Sequence, residues 1–409
     1  MAEKTYDVVL FGATSFVGQI ICQYMAATYG INGNLKWAVA SRSQNKLESV
    51  KRALGTNAGK LPLIIADASN EQSLKALCDQ AKVVLSTVGP YALYGEPMVK
   101  ACVETGTDYC DLTGEAQWIR DMLVKYEAKA KVTGARIVHC CGFDSIPSDM
   151  GVYFLQQAAR KQYGQACQRV KLRVKAIKGG LSGGTAASMV NIMKEATGDA
   201  QLRKDLANPY LLCTAGKAAT VRQPNVNAAR FDKDFSAWLA PFVMAGINTR
   251  VVHRSNDLSG AAYGERFRYD EAVITGRGAK GWAKAQSMAV GMAGFFVAGA
   301  LPPTRWLLEN VVLPAPGEGP SPESQQNGFY DIRLYGETAN GQVINAKVTG
   351  DRDPGYGSTA KMISEAAVCL AQEIPSTEKA GGFWTPATVF GDKLIKRLEQ
   401  SAGLAFELI

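Results

Sequence analysis

The apolar run Tyr6 to Phe11 leads without a break into Gly12-Ala13-Thr14-Ser15-Phe16-Val17-Gly18. A strand that ends in such a turn and starts a helix at once has few folds open to it. The glycines permit the tight turn, and the N–H groups and positive dipole end of the next helix suit a pyrophosphate. Val17, Ile20, Ile21, Tyr24, Met25 and Thr28 recur at helical spacing, which supplies that helix. Ser15 stands where the fuller fingerprint has glycine, so the loop alone also reads as an ordinary strand–turn–helix. The context decides. Leu35 to Ala40 reads as a second strand and ends in Ser41-Arg42-Ser43, with Lys46 one turn later. An acid at this place would accept from a ribose 2′-hydroxyl, whereas an Arg suits a 2′-phosphate. The expected cofactor is therefore NADP(H), held by Gly12 to Gly18 and by Ser41, Arg42 and Ser43.

The alternation continues through the first third of the chain. Further strands are expected at Leu61 to Ala66 with Asp67 at its end, Val83 to Thr87, Tyr109 to Leu112 and Arg136 to Cys140. Helices fit around Gln44 to Leu54, Glu71 to Gln80, Pro97 to Glu104 and Gln117 to Val132. The class is α/β, a Rossmann-type doubly wound parallel sheet over residues 1–148. Beyond it the rhythm changes. Arg169 to Lys178 alternates strictly, with Val170, Leu172, Val174 and Ala176 on one face and Lys171, Arg173 and Lys175 on a wet one. Thr249 to Arg254 and Glu265 to Ile274 read as strands. Phe329 to Glu337 and Gln342 to Gly350 flank Asn340-Gly341, a hairpin signal because type I′ turns need positive φ twice. Residues 149–409 are thus expected to form a second α+β domain with an antiparallel sheet. Pro314 to Glu323 is a loop by composition. Ser358 is placed as the cap of a helix from Thr359 to about Gln372.

Composition narrows the function classes. A net charge of +8 without a basic run between aromatics argues against nucleic-acid binding. Nine cysteines, an odd number with no Cys-x-x-Cys, and two histidines argue against a disulfide framework and a metal site. Met1 to Asp7 is polar and enters a strand directly, so no secretory signal is read and a cytoplasmic location is expected. Ala285 to Thr304 has no charged residue. It fits a buried helix or substrate-tunnel wall, ahead of a peripheral element dipping into a membrane; a full span ranks last, given Gln286, Ser287 and Pro302-Pro303.

Ligands in open α/β sheets bind beyond the carboxyl ends of the strands, so Thr87, Val88, Gly89 and Pro90 are expected to border the nicotinamide, and Asp67 completes the cofactor set. Gly89-Pro90 also reads as a plain tight turn. Thr113 is a candidate helix cap with Glu115 in the first helical turn. At the expected domain junction, where pockets form, Gly142 to Asp149 offers Asp144 and Ser145 to orient substrate or relay a proton. Ser148 and Asp149 suit a helix start. Gly179 to Thr185 is read equally as a strand-to-helix turn and as a backbone oxyanion site, with Gly183 and Gly184 as substrate contacts. Tyr91 and Ser145 are the candidate catalytic hydroxyls.

Several strings together resemble the saccharopine dehydrogenase-like oxidoreductases, in the branch that holds trans-acting enoyl reductases. They are GATSFVG (Gly12 to Gly18), ASRS (Ala40 to Ser43), STVGPY (Ser86 to Tyr91), DYCDLTGE (Asp108 to Glu115), GFDSIPSDMG (Gly142 to Gly151) and GGLSGGT (Gly179 to Thr185). DPGYGSTAKM (Asp353 to Met362) and GGFWTPATVFGDKL (Gly381 to Leu394) complete the set. The resemblance implies an NADP-binding Rossmann domain, a catalytic and dimerisation domain, and a homodimer. It also implies a return of the chain to the first domain, through the helix from Thr359. Three readings follow: reduction of a C=C bond in an apolar, lipid-like small molecule; saccharopine-type C–N chemistry, which would need several Arg for substrate carboxylates; and a non-catalytic NADP-binding scaffold at a lipid surface.

Overall fold

The computed structural model describes residues 4–180, 183–214, 221–308 and 319–409. The chain divides into two compact units. One holds residues 1–143, 316–319 and 355–403, the other 144–315, 320–354 and 404–409. The division falls first between residues 143 and 144.

In the first unit, strands β1 (Tyr6–Phe11), β2 (Trp37–Ser41), β3 (Leu63–Ile65), β4 (Ala81–Ser86), β5 (Asp108–Asp111) and β6 (Arg136–Val138) alternate with helices. These are α1 (Phe16–Tyr29), α2 (Gln44–Ala53), α3 (Glu71–Cys78), the short α4 (Tyr91–Tyr94), α5 (Glu96–Thr105) and α6 (Ala116–Thr133). Val8, Val9, Leu10, Val83, Val84 and Leu85 have no exposed surface. Strands covered on both faces are what a parallel sheet between helices requires. Every pairing is parallel, in the order β13-β6-β5-β4-β1-β2-β3, where β13 is Gly382–Trp384 from the chain's end.

The second unit contains α7 (Ile146–Tyr163), β7 (Cys167–Lys178), α8 (Gly183–Gly198), α9 (Ala200–Ala207), β8 (Arg230–Asp232), β9 (Ala237–Ala240), α10 (Ala245–Leu258) and β10 (Arg268–Gly276). After them come α11 (Gly278–Ala300), α12 (Pro302–Leu307), α13 (Pro322–Gln326), β11 (Phe329–Thr338), β12 (Val343–Gly350) and, last, β14 (Leu404–Leu408). The sheet order is β14-β12-β11-β7-β10-β9-β8. It is antiparallel except for β7 with β10, which run parallel. The hairpin at Asn340-Gly341 closes β11 onto β12, with Gly341 at φ 81°.

Four expectations change. Thr249 to Arg254 lies inside helix α10, not in a strand; nearly every residue from Ile247 to Asn256 is buried, so burial on all sides hides the helical period. The face of β7 read as wet is partly covered, because Arg173 is buried in ion pairs with Asp232 (2.9 Å) and Asp270 (2.7 Å). Ser358 precedes the helix Thr359–Gln372 without capping it through its side chain. Ala285 to Thr304 is not a buried helix: it forms most of α11 and the start of α12, and much of it is exposed. No described helix is long and apolar enough to cross a membrane. Pro314 to Glu318 of the expected loop lies outside the described residues.

The return segment belongs to the first unit. Its helix α14 (Thr359–Gln372) is followed by α15 (Pro386–Phe390) and α16 (Asp392–Arg397). Buried Glu365 accepts from Tyr24 Oη (2.7 Å), from Tyr29 Oη and from Arg397 Nε (2.8 Å), which fastens α14 to α1.

Candidate active site

The loop from β1 to α1 has the shape a dinucleotide needs. Gly12 has φ +94°, and a Cβ there would lie 2.5 Å from Thr87 Oγ1 and 2.9 Å from Val88 Cγ2. At Gly18 a Cβ would meet Gly12 O at 2.3 Å. Ser15, the departure from the glycine fingerprint, is the N-cap: its Oγ accepts from Gly18 N (3.0 Å) and lies 3.0 Å from Thr87 Oγ1. Thr87 in turn donates to Gly12 O (3.0 Å), tying the end of β4 to the turn. Ala13 is buried, Thr14 and Val17 are part-buried, and the ring of Phe16 packs edge-on against Tyr356 at 4.7 Å. No acid occupies the first turn of α1. A turn with no room for a Cβ at Gly12 or Gly18 and a helix start without negative charge fits a bound pyrophosphate.

Arg42 is exposed just past β2, between Ser41, whose Oγ accepts from Ser43 N (3.3 Å), and Ser43, whose Oγ caps α2 through Lys46 N (3.4 Å). Across the β2–β3 pairing, Asp67 accepts from Ser69 N (2.9 Å) and Ser69 Oγ (2.8 Å). Those bonds, aided by the charge of Arg42, hold its carboxyl below the usual range.

At the ends of β4 and β5 the Tyr91 hydroxyl is already engaged. It donates to Ser86 O (3.0 Å) and accepts from Leu112 N (3.1 Å), and burial pushes its pKa far up, with Asp111 and Glu115 adding to the shift. In this arrangement Tyr91 braces two strand ends, in place of the catalytic hydroxyl expected from sequence. Gly89-Pro90 makes the turn before it, through a cis peptide bond. Glu115 is buried and directly precedes α6, yet its carboxylate accepts from Tyr91 N (2.8 Å) and Ala92 N (2.9 Å). It therefore caps α4 instead of serving the first turn of α6. Thr113 Oγ1 accepts from Glu115 N (3.2 Å).

Sequence reasoning missed the pair Asp111 and His139. Asp111 Oδ2 lies 2.6 Å from His139 Nδ1, while Oδ1 accepts from Thr113 N (3.1 Å) and Cys140 N (3.2 Å). His139 is buried 5.1 Å from the ring of Trp118, and its Nε2 has no hydrogen-bond partner among the described residues. The available signal was an acid ending one strand and a histidine following the next. Only the parallel register of β5 with β6 makes them neighbours.

In the second unit Asp144 is part-buried, and its pKa is pushed up to about 7 by burial and then by the charge of Glu271. Ser145 occupies the N-cap position of α7. It is fully buried, and its Oγ has no hydrogen-bond partner among the described residues. Its carbonyl accepts from Ser148 N (3.1 Å) and Asp149 N (2.8 Å), so Ser148 lies within the helix and does not cap it. Asp149, on the first turn, accepts from Ser255 Oγ (2.6 Å). Glu271, buried on β10, accepts from Tyr269 Oη (2.6 Å) and Asn248 Nδ2 (2.9 Å). Gly183 and Gly184 are the first residues of α8; Leu181 and Ser182 lie outside the described residues. No group of three metal-ligating side chains is found among the described residues.

Comparison with known proteins agrees with this geometry. Residues 8–138 match the saccharopine dehydrogenase NADP binding domain. A Mycobacterium tuberculosis protein provisionally named a trans-acting enoyl reductase is 39% identical over 417 residues, covering 99% of this chain and 97% of the relative. The trans-acting enoyl reductase of Mycobacterium bovis is 37% identical over 411 residues, covering 97% and 96%. Among solved structures, the saccharopine dehydrogenase (L-Glu forming) of Saccharomyces cerevisiae superposes with a TM-score of 0.53 at 12% identity, over 98% of this chain and 99% of that one, a likeness of fold. The matching NADP binding domain and full-length relatives at this identity place the chain in the saccharopine dehydrogenase-like oxidoreductase family, in the trans-acting enoyl reductase branch, as an NADP-dependent enzyme.

Proposed function

We propose that the enzyme reduces a C=C bond conjugated to a carbonyl, in an apolar substrate that carries an acyl chain. Bound NADPH supplies the hydride. The chain's own residues must hold the cofactor, stabilise the enolate oxygen and deliver a proton to the α-carbon. Gly12 to Gly18 with Thr87 cradle the pyrophosphate, Arg42 with Ser41 and Ser43 receives the 2′-phosphate, and Val88 to Pro90 line the end of β4. Asp144 is the proton donor. The observation that carries this role is a carboxyl whose pKa burial pushes up to about 7, next in sequence to the buried hydroxyl of Ser145, which has no partner among the described residues. Ser145 Oγ is the hydroxyl left to donate to the enolate oxygen, since that of Tyr91 is engaged. Gly183 and Gly184 are retained as substrate contacts.

Two observations favour this chemistry over formation of a C–N bond. The relatives of similar length are named for enoyl reduction. Buried arginines of the second unit are also taken: Arg173 by Asp232 and Asp270, Arg250 by backbone carbonyls including Asn208 O (3.1 Å). Substrate carboxylates would need such cations unpaired. Incubation with deuterated NADPH and a panel of enones, enoyl thioesters and 2-oxo acid/lysine pairs decides by where the label lands. Deuterium at the β-carbon of an enone or thioester is expected; label confined to an amine product overturns the assignment. The homodimer belongs to the same reading, and light scattering that shows a monomer's mass at every concentration removes it.

A further inference from the structure

Helix α11 is built inside out. The residues it turns towards the protein are small: Gly281, Ala285 and Gly299 are its buried positions. A Cβ at Gly281 would meet Gly276 O at 2.3 Å, and one at Gly299 would meet Met193 Sδ at 2.3 Å. Several of its large apolar side chains are exposed instead, with Met288, Met292 and Phe295 part-buried. Val290 is 69% exposed, Val297 60%, Phe296 46%, and Leu301 and Trp306 just beyond are 52% and 63%. A surface helix ordinarily buries its large apolar residues and shows polar ones to water, so this face is made for an apolar partner.

The charges around it indicate which partner. Between Glu271 and Glu309 all four charged residues are cations: Arg277, Lys280, Lys284 and Arg305. Arg305 is used at the helix's carboxyl end, where Nε donates to Gly299 O (2.8 Å). The other three are exposed and stand at the amino end, with no acid in the first turn. Cations there oppose the helix dipole, an arrangement that an external anion relieves. Exposed Trp282 and Trp306 bracket the apolar stretch, as tryptophans do at the boundary between acyl chains and headgroups. The helix is about 35 Å long at 1.5 Å per residue, and it is not apolar enough to cross a membrane.

We propose that α11 and α12 form a face that docks the enzyme on the surface of an anionic lipid bilayer, lying in the plane of the headgroups. Val290, Phe296, Val297 and Leu301 enter the acyl boundary, Trp282 and Trp306 sit at its edges, and Arg277, Lys280 and Lys284 meet the headgroup phosphates. Binding of this kind needs neither cofactor nor turnover, so it stands apart from the reduction proposed above.

The test is flotation of the full-length protein with vesicles of phosphatidylcholine alone and of phosphatidylcholine mixed with phosphatidylglycerol. Wild type is expected to float with the mixed vesicles, and at least about tenfold less with the neutral ones. Lys280→Gln with Lys284→Gln should weaken binding to the mixed vesicles about 30-fold, since each basic residue near such a surface contributes about 1 kcal/mol. Val290→Glu with Val297→Glu should abolish it while NADPH affinity and melting temperature stay unchanged, because both side chains are exposed. As a check without charge variants, brominated lipid should quench tryptophan fluorescence in wild type, and less in Trp306→Phe. Absence of flotation, or flotation indifferent to both double variants, overturns the proposal. So does light scattering that shows a dimer dissociated by Val290→Glu with Val297→Glu, which would make the face an interface between two copies of this chain.

Discussion

Arg42 is exposed at the end of β2, and the nearby acid on the neighbouring strand end, Asp67, is already bonded to Ser69. Its guanidinium is therefore available to a 2′-phosphate. Charge-assisted bonds of this kind contribute about 1.5–3 kcal/mol, so Arg42→Ala should weaken NADPH about 10- to 100-fold and leave NADH nearly unchanged, as fluorescence titration of both cofactors would report. Asp144 gives a prediction in pH. Its carboxyl titrates at about 7 in the fold against an ordinary value of 3.8. Between these two values the folded protein binds more protons than the unfolded chain, so stability falls as pH rises through that window. Asp144→Asn cannot ionise and should therefore melt higher than wild type above pH 7, with the difference vanishing below about pH 4. The rate should show the opposite cost. With Asp144 as the proposed general acid, kcat should fall as pH rises past about 7, and Asp144→Asn should lower kcat about 10²- to 10⁴-fold and flatten the profile. A pH–rate profile of Asp144→Asn that matches wild type removes the role.

At the scale of elements, α4 shows how little of a site a local reading captures. Tyr91–Tyr94 is one turn of helix, too short to hold itself, and its first two N–H groups are satisfied by Glu115 from the next strand end. Glu115→Gln keeps the shape but can accept only one of the two bonds, its amide nitrogen facing the other N–H, and should destabilise the first unit by about 1–3 kcal/mol. Urea unfolding followed by tryptophan emission would measure it, since Trp118 packs against Tyr91 at 5.5 Å. The same limit explains the misread elements. Val251-Val252 within a buried stretch looks like a strand because β-branched pairs favour one, and packing on all sides of α10 overrides that preference. An uncharged stretch such as Ala285 to Thr304 looks like interior because interiors are uncharged. Which way its side chains face depends on the small residues that set α11 against β9, β10 and α8.

At the scale of the molecule, the last fifty residues of the first unit close its core. Tyr24 and Glu365 stand 341 positions apart and meet at 2.7 Å, with Arg397 on the other carboxylate oxygen at 2.8 Å. Removing one partner of a buried ion pair leaves the other without compensation, at a cost of about 3–5 kcal/mol. Glu365→Ala should therefore unfold the first unit at markedly lower denaturant and weaken NADPH binding with it. Far-ultraviolet circular dichroism against urea, run beside an NADPH titration, would show both losses, and an unchanged midpoint would mean that α14 is held by apolar packing alone.

What the sequence determined by itself was whatever is encoded over short range. Gly12 to Gly18, the alternation of strand and helix, and the Arg after β2 state a Rossmann sheet and an NADP cofactor, because turn sterics, side-chain period and charge act within a few residues of one another. The hairpin at Asn340-Gly341 was legible for the same reason. Tertiary structure alone decided the rest. The pairing of Asp111 with His139 depends on strand register, the engagement of the Tyr91 hydroxyl on two strand ends meeting it, and the raised pKa of Asp144 on burial and the charge of Glu271. Hydrogen bonding and desolvation are set by neighbours in space, and those neighbours are supplied by parts of the chain too distant for any local pattern to carry.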